Sequence, residues 1–163
     1  MNPEGAEQYW LTPARSSDLG TAEAVIRNLV GGEHMFVFGN KTPGRKSLKP
    51  GDWICFYAAG KGVVAHAKVV SVPEEPVDVT DWMERTHGST AQELVREMIA
   101  RFPLAFRLDQ VQLYTGNPVV IDVELRAKLE AFIGRDLSRG WSWLVVATHR
   151  ISRHDFELLT RTR

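Results

Sequence analysis

The chain has 163 residues, with 20 lysines and arginines balanced by 20 aspartates and glutamates, and a single cysteine. This length suits one domain with one core, and the single cysteine excludes an internal disulfide and a zinc site built on paired thiolates. No stretch approaches the roughly 18 apolar residues of a membrane span, and no secretory or transit signal is visible near the N-terminus. We therefore expect a cytoplasmic protein without membrane contact, forming a single domain over residues 1–163.

Charge is unevenly distributed along this neutral chain. Residues 41–49 carry four cations and no acid, whereas residues 74–84 carry five acids and no base. Segregation of this kind can create a local positive surface that attracts phosphates, although a solvated turn is the simpler explanation of the basic segment.

The chain begins with a predicted strand and helix. Tyr9-Trp10-Leu11 has the aromatic and apolar character of a strand, which Pro13 would end. Over residues 16–30, apolar side chains recur three and four positions apart. This spacing predicts an amphipathic helix with Ser17 or Asp18 as its N-cap.

A second group of strands follows. Residues 34–38 and 53–59 are apolar runs of strand length, and the second run is joined to residues 63–72 by Gly60-Lys61-Gly62. Two strand runs separated by so short a glycine turn predict an antiparallel hairpin.

The next two elements are a helix and a strand. Thr90 and Glu93 have the spacing of a capping box, which predicts a helix reaching about Phe102. Residues 104–114 alternate imperfectly between apolar and polar. They predict a strand with a bulge near Asp109-Gln110.

The C-terminal part predicts two short helices around another strand. Asp122 is suited to cap a helix that runs to Phe132, and residues 141–148 are rich in strand-forming side chains. Ser152 with Asp155 predicts a capping box that opens a terminal helix, which buries Phe156 and Leu159.

These elements indicate an α+β class, because strands and helices do not alternate regularly and a hairpin lies at the centre. Five or six mostly antiparallel strands in a domain of this length would manage their edges by curling. We therefore expect a small open β-barrel with helices packed outside.

Common catalytic signatures are absent from the sequence. There is no phosphate-binding glycine loop, dinucleotide fingerprint, zinc-protease helix or nucleophile elbow, and the zinc-deaminase signature needs more than one cysteine. His149 and His154 are five residues apart and lack a well-placed acidic partner, so no metal is expected. No cofactor is expected either.

Two further groups leave alternatives open. His66 lies within an apolar strand, where a histidine is either a hydrogen-bonded core residue or one that faces a cavity. Asp81, Glu84 and His87 could form an acid–base site of a small hydrolase acting on nucleosides or nucleotides, although such loops are usually only solvated.

Four segments together resemble the EVE family of PUA-like domains, which is related to the YTH and ASCH domains. Members open with a Tyr-Trp-Leu strand, carry a Lys-x-Gly-Asp turn into a strand ending Phe-Tyr, and continue through a glycine-rich turn into a Gly-Val strand. The corresponding segments here are residues 9–11 (YWL), 48–57 (LKPGDWICFY), 62–69 (GVVAHAKV) and the closing stretch 143–159. The resemblance covers most of the chain.

The resemblance implies a PUA-like barrel that reads nucleic acid and is not an enzyme. It would hold one flipped, modified base, such as methylated or hydroxymethylated cytosine in DNA, in an aromatic pocket. An extruded base needs replacement stacking and polar partners for its edge. The stacking candidates are Trp10, Phe36, Phe38 and Tyr57, with Asn40 for the base edge and Lys41, Arg45 and Lys46 for the flanking phosphates.

The segment before Asn40 departs from the family pattern. Many members have a tryptophan before Gly-Val-Arg-Asn, where this chain has residues 36–40 (FVFGN), so Trp141 and Trp143 are further stacking candidates. An RNA reader, an interaction module with an empty pocket, and a sensor that acts beside an effector nuclease on a separate chain all remain open.

Overall fold

The computed structural model describes residues 6–79 and 89–161. Six strands form one mixed sheet, which curls strongly into a half-barrel. They are β1 (Tyr9–Ala14), β2 (Met35–Phe38), β3 (Trp53–Ala58), β4 (Gly62–Val69), β5 (Leu104–Leu113) and β6 (His149–Ile151). Their order in the sheet is β2-β5-β4-β3-β1-β6, with β1 and β3 parallel and the other neighbours antiparallel.

Four α-helices accompany the sheet within the described residues. They are α1 (Ala22–Ile26), which continues as a π-helical segment (Arg27–Gly32), α2 (Ser89–Arg101), α3 (Val123–Lys128) and α4 (Arg153–Leu159). The predicted α+β class and the small open barrel with helices outside it are confirmed.

Alternation along the strands divides the apolar side chains between two clusters. Trp10, Ile54 and Phe56 belong to one cluster, and their neighbours Leu11 and Cys55 belong to the other. Successive side chains of a strand point to opposite faces, so both faces of the central strands are covered. The first cluster packs against α1 and α2, and the second packs against α4.

The predicted hairpin and bulge are confirmed. β3 and β4 pair as antiparallel neighbours across the glycine turn, where Lys61 N donates to Ala58 O at 2.9 Å. On β5, Gln110 has a φ of +49° and the register with β4 shifts between His66 and Lys68. One extra residue on β5 produces this shift.

The first helix begins later than predicted, so Ser17 and Asp18 are not its cap. Thr21 caps α1 instead, with its hydroxyl accepting from Ala24 N at 3.1 Å. Two backbone hydrogen bonds close a turn between Ser17 and Gly20, whose φ is +133°. A residue in that conformation cannot continue a helix, so the helical periodicity before it is coincidental.

Pro13 does not end β1, which continues to Ala14. The partner strand β6 pairs only with the first three residues of β1, from Tyr9 to Leu11. Pro13 therefore lies beyond that ladder, where its missing N–H removes no hydrogen bond to β6.

The predicted strand over residues 141–148 is wrong. Ser142–Leu144 form a 3₁₀ turn, and the strand of this region is His149–Ile151. Only Leu144 and Thr148 of that segment are buried, so its strand-forming side chains do not occupy a central ladder. Context outweighs strand propensity here.

The other C-terminal predictions are confirmed in part. Asp122 caps α3, but the helix ends at Lys128 because Leu129 adopts an extended conformation before a 3₁₀ turn (Glu130–Phe132). Ser152 caps α4, and this helix buries Phe156 and Leu159 as predicted. Asp155 does not complete the box: its carboxylate accepts from the backbone N–H groups of Glu130 and Ala131.

The remaining boundaries differ only slightly. β4 ends at Val69 rather than at residue 72. The helix predicted to reach Phe102 is α2, which ends at Arg101; its predicted cap, Thr90, lies inside the helix, which already includes Ser89.

Candidate functional site

A cavity of about 430 Å³ opens beside the C-terminal end of β1. Its wall combines the end of β1 and the following turn, β2 and the loop after it, the end of α2, and the segment before β6. The lining residues include Thr12, Arg15, Ser16, Phe36, Phe38, Gly39, Thr42, Pro43, Arg101, Phe102, Val146 and Thr148. Four chain segments that are distant in sequence therefore meet here.

Three phenylalanines line the cavity, but they differ in accessibility. Phe36 and Phe38 are only 5% and 2% exposed, and both pack edge-on or tilted against other core rings. Phe102 is 40% exposed and lies against Gly39. Phe102 thus has accessible ring area for a ligand, whereas Phe36 and Phe38 close the floor.

Hydroxyl groups provide the polar part of the wall. Thr12 and Thr148 share a buried hydrogen bond of 2.7 Å between their hydroxyls. Thr42 accepts from Gly39 N at 2.8 Å, and Ser16 accepts from Ala22 N at 3.2 Å. A hydroxyl that accepts one backbone N–H still has a proton to donate, so Thr42 and Ser16 can donate to a ligand.

The charged side chains at the cavity are basic. Among the lining residues that the structure describes there is no aspartate or glutamate, and the two charged ones are Arg15 and Arg101, of which Arg101 is balanced by Asp18 next to the cavity. Arg15 Nη2 donates to Val146 O at 3.3 Å, and Arg101 forms a two-pronged ion pair with Asp18 at 2.7 and 2.8 Å. This contact raises the pKa of Arg101 and lowers the pKa of Asp18.

The structure does not gather the seven predicted pocket residues around one cavity. Phe36 and Phe38 line the cavity described above, and Asn40 is exposed in the loop next to it. Trp10 is buried in the core, where its indole Nε1 donates to Asp52 at 3.0 Å. Tyr57 is buried in the second cluster.

The two C-terminal tryptophans lie on another part of the surface. The guanidinium of Arg126 lies over Trp141 at 4.9 Å, and that of Arg135 lies over Trp143 at 4.0 Å. Trp143 also lines an open groove with Tyr9 and His149, beside β6. These indoles are stacked on cations and do not face the first cavity.

The predicted phosphate-binding residues follow the loop after β2. Lys41 and Lys46 are exposed, and Arg45 is half-buried with its Nη1 donating to Thr42 O at 3.2 Å. Because Thr42 and Pro43 line the cavity, this basic loop forms part of its rim. Lys49 is engaged elsewhere, in a 2.7 Å ion pair with buried Asp52.

Buried titratable groups lie away from the cavity. His66 donates to or accepts from the Tyr114 hydroxyl at 3.1 Å in the second cluster, which confirms its reading as a core residue. Burial lowers the pKa of His66 to about 4 and raises the pKa of Tyr114. Cys55 is likewise buried, with a raised thiol pKa.

Other predicted chemistry receives no support from the described residues. Asp81, Glu84 and His87 lie outside the residues that the structure describes. His154 groups with Glu130 and Asp155 within 4.8 Å, but its Nε2 lies 3.0 Å from Lys128 O and the Asp155 oxygens accept backbone N–H groups. Within the described ranges, no helix has the length and apolarity needed to cross a membrane.

Sequence reasoning missed Phe102 and Arg101 as site residues. A signal was available, because Phe102 directly precedes Pro103 at the end of an amphipathic helix. A residue before a proline is disfavoured in helical conformation, so the Phe102 side chain is not held in the buried face of the helix. The partner of Arg101 gives no such signal, because Asp18 is 83 positions away.

Comparison with known proteins gives little beyond these observations. No family model and no curated protein matches the chain. A crystal structure of a structural-genomics target from Pseudomonas putida matches with a TM-score of 0.47 and 16% identity, covering 91% of this chain and 94% of the other.

Proposed function

We propose that the protein is a non-enzymatic reader of DNA that takes one extruded, modified base into the cavity beside the end of β1. The observation that carries the proposal is the combination in one cavity of apolar walls, an exposed aromatic ring and a positive rim. A volume of about 430 Å³ falls within the range of about 300–1,000 Å³ typical of small-ligand pockets.

Each part of the wall has a counterpart in a flipped nucleotide. Phe102 offers the accessible ring on which the base would stack, and such stacking contributes about 1–3 kcal/mol per base. Hydroxyls of Thr42 and Ser16 supply hydrogen bonds to a base edge. The apolar floor around Phe36 accommodates an added methyl group, whereas the hydroxyl of a hydroxymethyl group would have to reach one of the wall hydroxyls.

The basic loop supports binding of the strand outside the cavity. Exposed Lys41 and Lys46 and half-buried Arg45 belong to the loop whose residues Thr42 and Pro43 line the cavity, and in this proposal they contact phosphates next to the extruded nucleotide. Phosphate contacts position a strand without reading its sequence. In this proposal the protein acts in the cytoplasm, and an effector such as a nuclease on a separate chain responds to the bound DNA.

Equilibrium binding to short duplexes at two salt concentrations tests the proposal. The panel contains unmodified DNA, DNA with methylcytosine, hydroxymethylcytosine or methyladenine, and matched RNA. We expect tighter binding to one modified DNA, with an affinity that falls as salt rises because phosphate contacts release counterions. Equal affinity for modified and unmodified DNA, or preference for RNA, would contradict the DNA-reader proposal.

A further inference from the structure

We infer that Arg101 is a phosphate-binding residue of the proposed base-reading site and that Asp18 occupies its guanidinium when DNA is absent. The inference rests on the proposed function, because it names the group that a bound nucleotide presents to the cavity rim. Its starting point is the ion pair between Arg101, which lines the cavity, and Asp18 in the turn before α1.

The geometry of the ion pair is that of an anion site. Arg101 Nη1 and Nη2 donate to the two carboxylate oxygens of Asp18 at 2.8 and 2.7 Å. The guanidinium fork matches two oxygens of a phosphate in the same way as it matches a carboxylate. A phosphate could therefore replace Asp18 without moving Arg101.

Asp18 is presented to Arg101 by a small, hydrogen-bonded turn. Ser17 and Gly20 exchange two backbone hydrogen bonds of 3.0 and 3.1 Å, and Leu19 N donates to the Ser17 hydroxyl at 3.1 Å. The side chain of Asp18 is 72% exposed and that of Arg101 is 38% exposed. Both partners are solvated, so the pair can separate at low cost.

The position of Arg101 links the ion pair to the base. Arg101 lines the cavity and is followed directly by Phe102, the accessible aromatic residue. If the base of a nucleotide stacks on Phe102, we expect its phosphate to lie within reach of the neighbouring side chain, Arg101. With Asp18 displaced, the end of α2 would hold the base and the phosphate together.

The test compares Asp18→Asn with a matched control, Glu157→Gln. Glu157 forms an exposed ion pair with Arg153 on α4, and it lines neither the cavity nor the groove beside β6. Each variant removes one negative charge, so the control reports the non-specific gain in attraction for DNA. The probes are duplexes with one methylcytosine or hydroxymethylcytosine, and the same duplexes with neutral methylphosphonates flanking the modified nucleotide.

We expect Asp18→Asn to increase affinity for the modified duplex about two- to fivefold over the gain in Glu157→Gln, because an exposed ion pair no longer competes. This advantage should disappear on the methylphosphonate duplex. Arg101→Lys should bind the modified duplex less tightly than wild type, with a similar salt dependence, because a lysine keeps the charge but lacks the two-pronged fork. Thermal melting of each variant verifies that the fold is retained.

Equal gains in Asp18→Asn and Glu157→Gln, or a gain that persists on the methylphosphonate duplex, would overturn the inference while wild-type binding still supports the reader function. Absence of wild-type binding to the modified duplexes would overturn both. The two failures are thus distinguished by the wild-type measurement.

Discussion

The indole N–H of Trp10 donates to the carboxylate of Asp52 at 3.0 Å, which joins β1 to the turn before β3. The same fully buried carboxylate accepts from the backbone N–H groups of Gln8 and Lys49 and from the Lys49 ammonium at 2.7 Å. The Trp10 side chain, predicted to stack on a base, thus takes part in a buried network that fixes the start of the sheet.

Replacing Asp52 should therefore cost considerable stability. In Asp52→Ala, several buried donors lose their acceptor, so we expect a loss on the order of 3 kcal/mol in the free energy of unfolding. Chemical denaturation measures it. Asp136→Ala serves as the control because Asp136 is exposed, with hydrogen bonds only to Ser138 two residues away and a 3.9 Å contact with Arg139, and a similar loss in both variants would contradict the role of Asp52.

A second prediction concerns the contact between Trp10 and Gly44. Gly44 has a φ of +83°, and a Cβ there would lie 2.4 Å from the indole Cζ3. Gly60 has a φ of +80° with open space around it, so Gly60→Ala reports the backbone penalty alone. We expect Gly44→Ala to lower the free energy of unfolding, measured in urea, by about 1–3 kcal/mol more than Gly60→Ala does. Equal losses would show that the indole moves aside freely.

Acid should destabilise the protein through His66. Its pKa in the folded protein is about 4, below the ordinary 6.5, because burial disfavours the charged ring. The unfolded chain therefore binds the proton more readily, and this contribution to stability is complete above about pH 6.5 and falls as the pH drops towards 4. Between pH 6.5 and 4, the free energy of unfolding should fall more steeply with pH in wild type than in His66→Gln. An equal pH dependence in the two proteins would contradict the lowered pKa of His66.

Phe102 should be the main stacking residue. Phe102→Ala removes the exposed ring at the cavity, and we expect affinity for a modified duplex to fall about 5- to 150-fold, which corresponds to about 1–3 kcal/mol. Phe102→Trp should restore binding because it retains an aromatic face. Ile133→Ala is the control, since Ile133 is an exposed apolar residue that lines neither the cavity nor the groove beside β6. An unchanged affinity in Phe102→Ala would exclude stacking on this ring.

Local signals in the sequence predicted the fold better than the cavity. The hairpin and the bulge at Gln110 were predictable because turn glycines and a break in alternation act over a few residues. The strand over residues 141–148 was mispredicted because its strand propensity is overridden by its position outside the sheet. The cavity joins Thr12, Phe36, Phe102 and Val146, and no local pattern brings these four segments together.

The most direct measurement is the change in amide NMR signals when a duplex carrying one modified base is added to the labelled protein. If the base enters the cavity, the largest changes should occur at Gly39, Thr42, Phe102 and Thr148, and they should be smaller with the unmodified duplex. Changes concentrated around Trp143 and His149 in the groove beside β6, or identical changes with both duplexes, would contradict this site as the reader of the modified base.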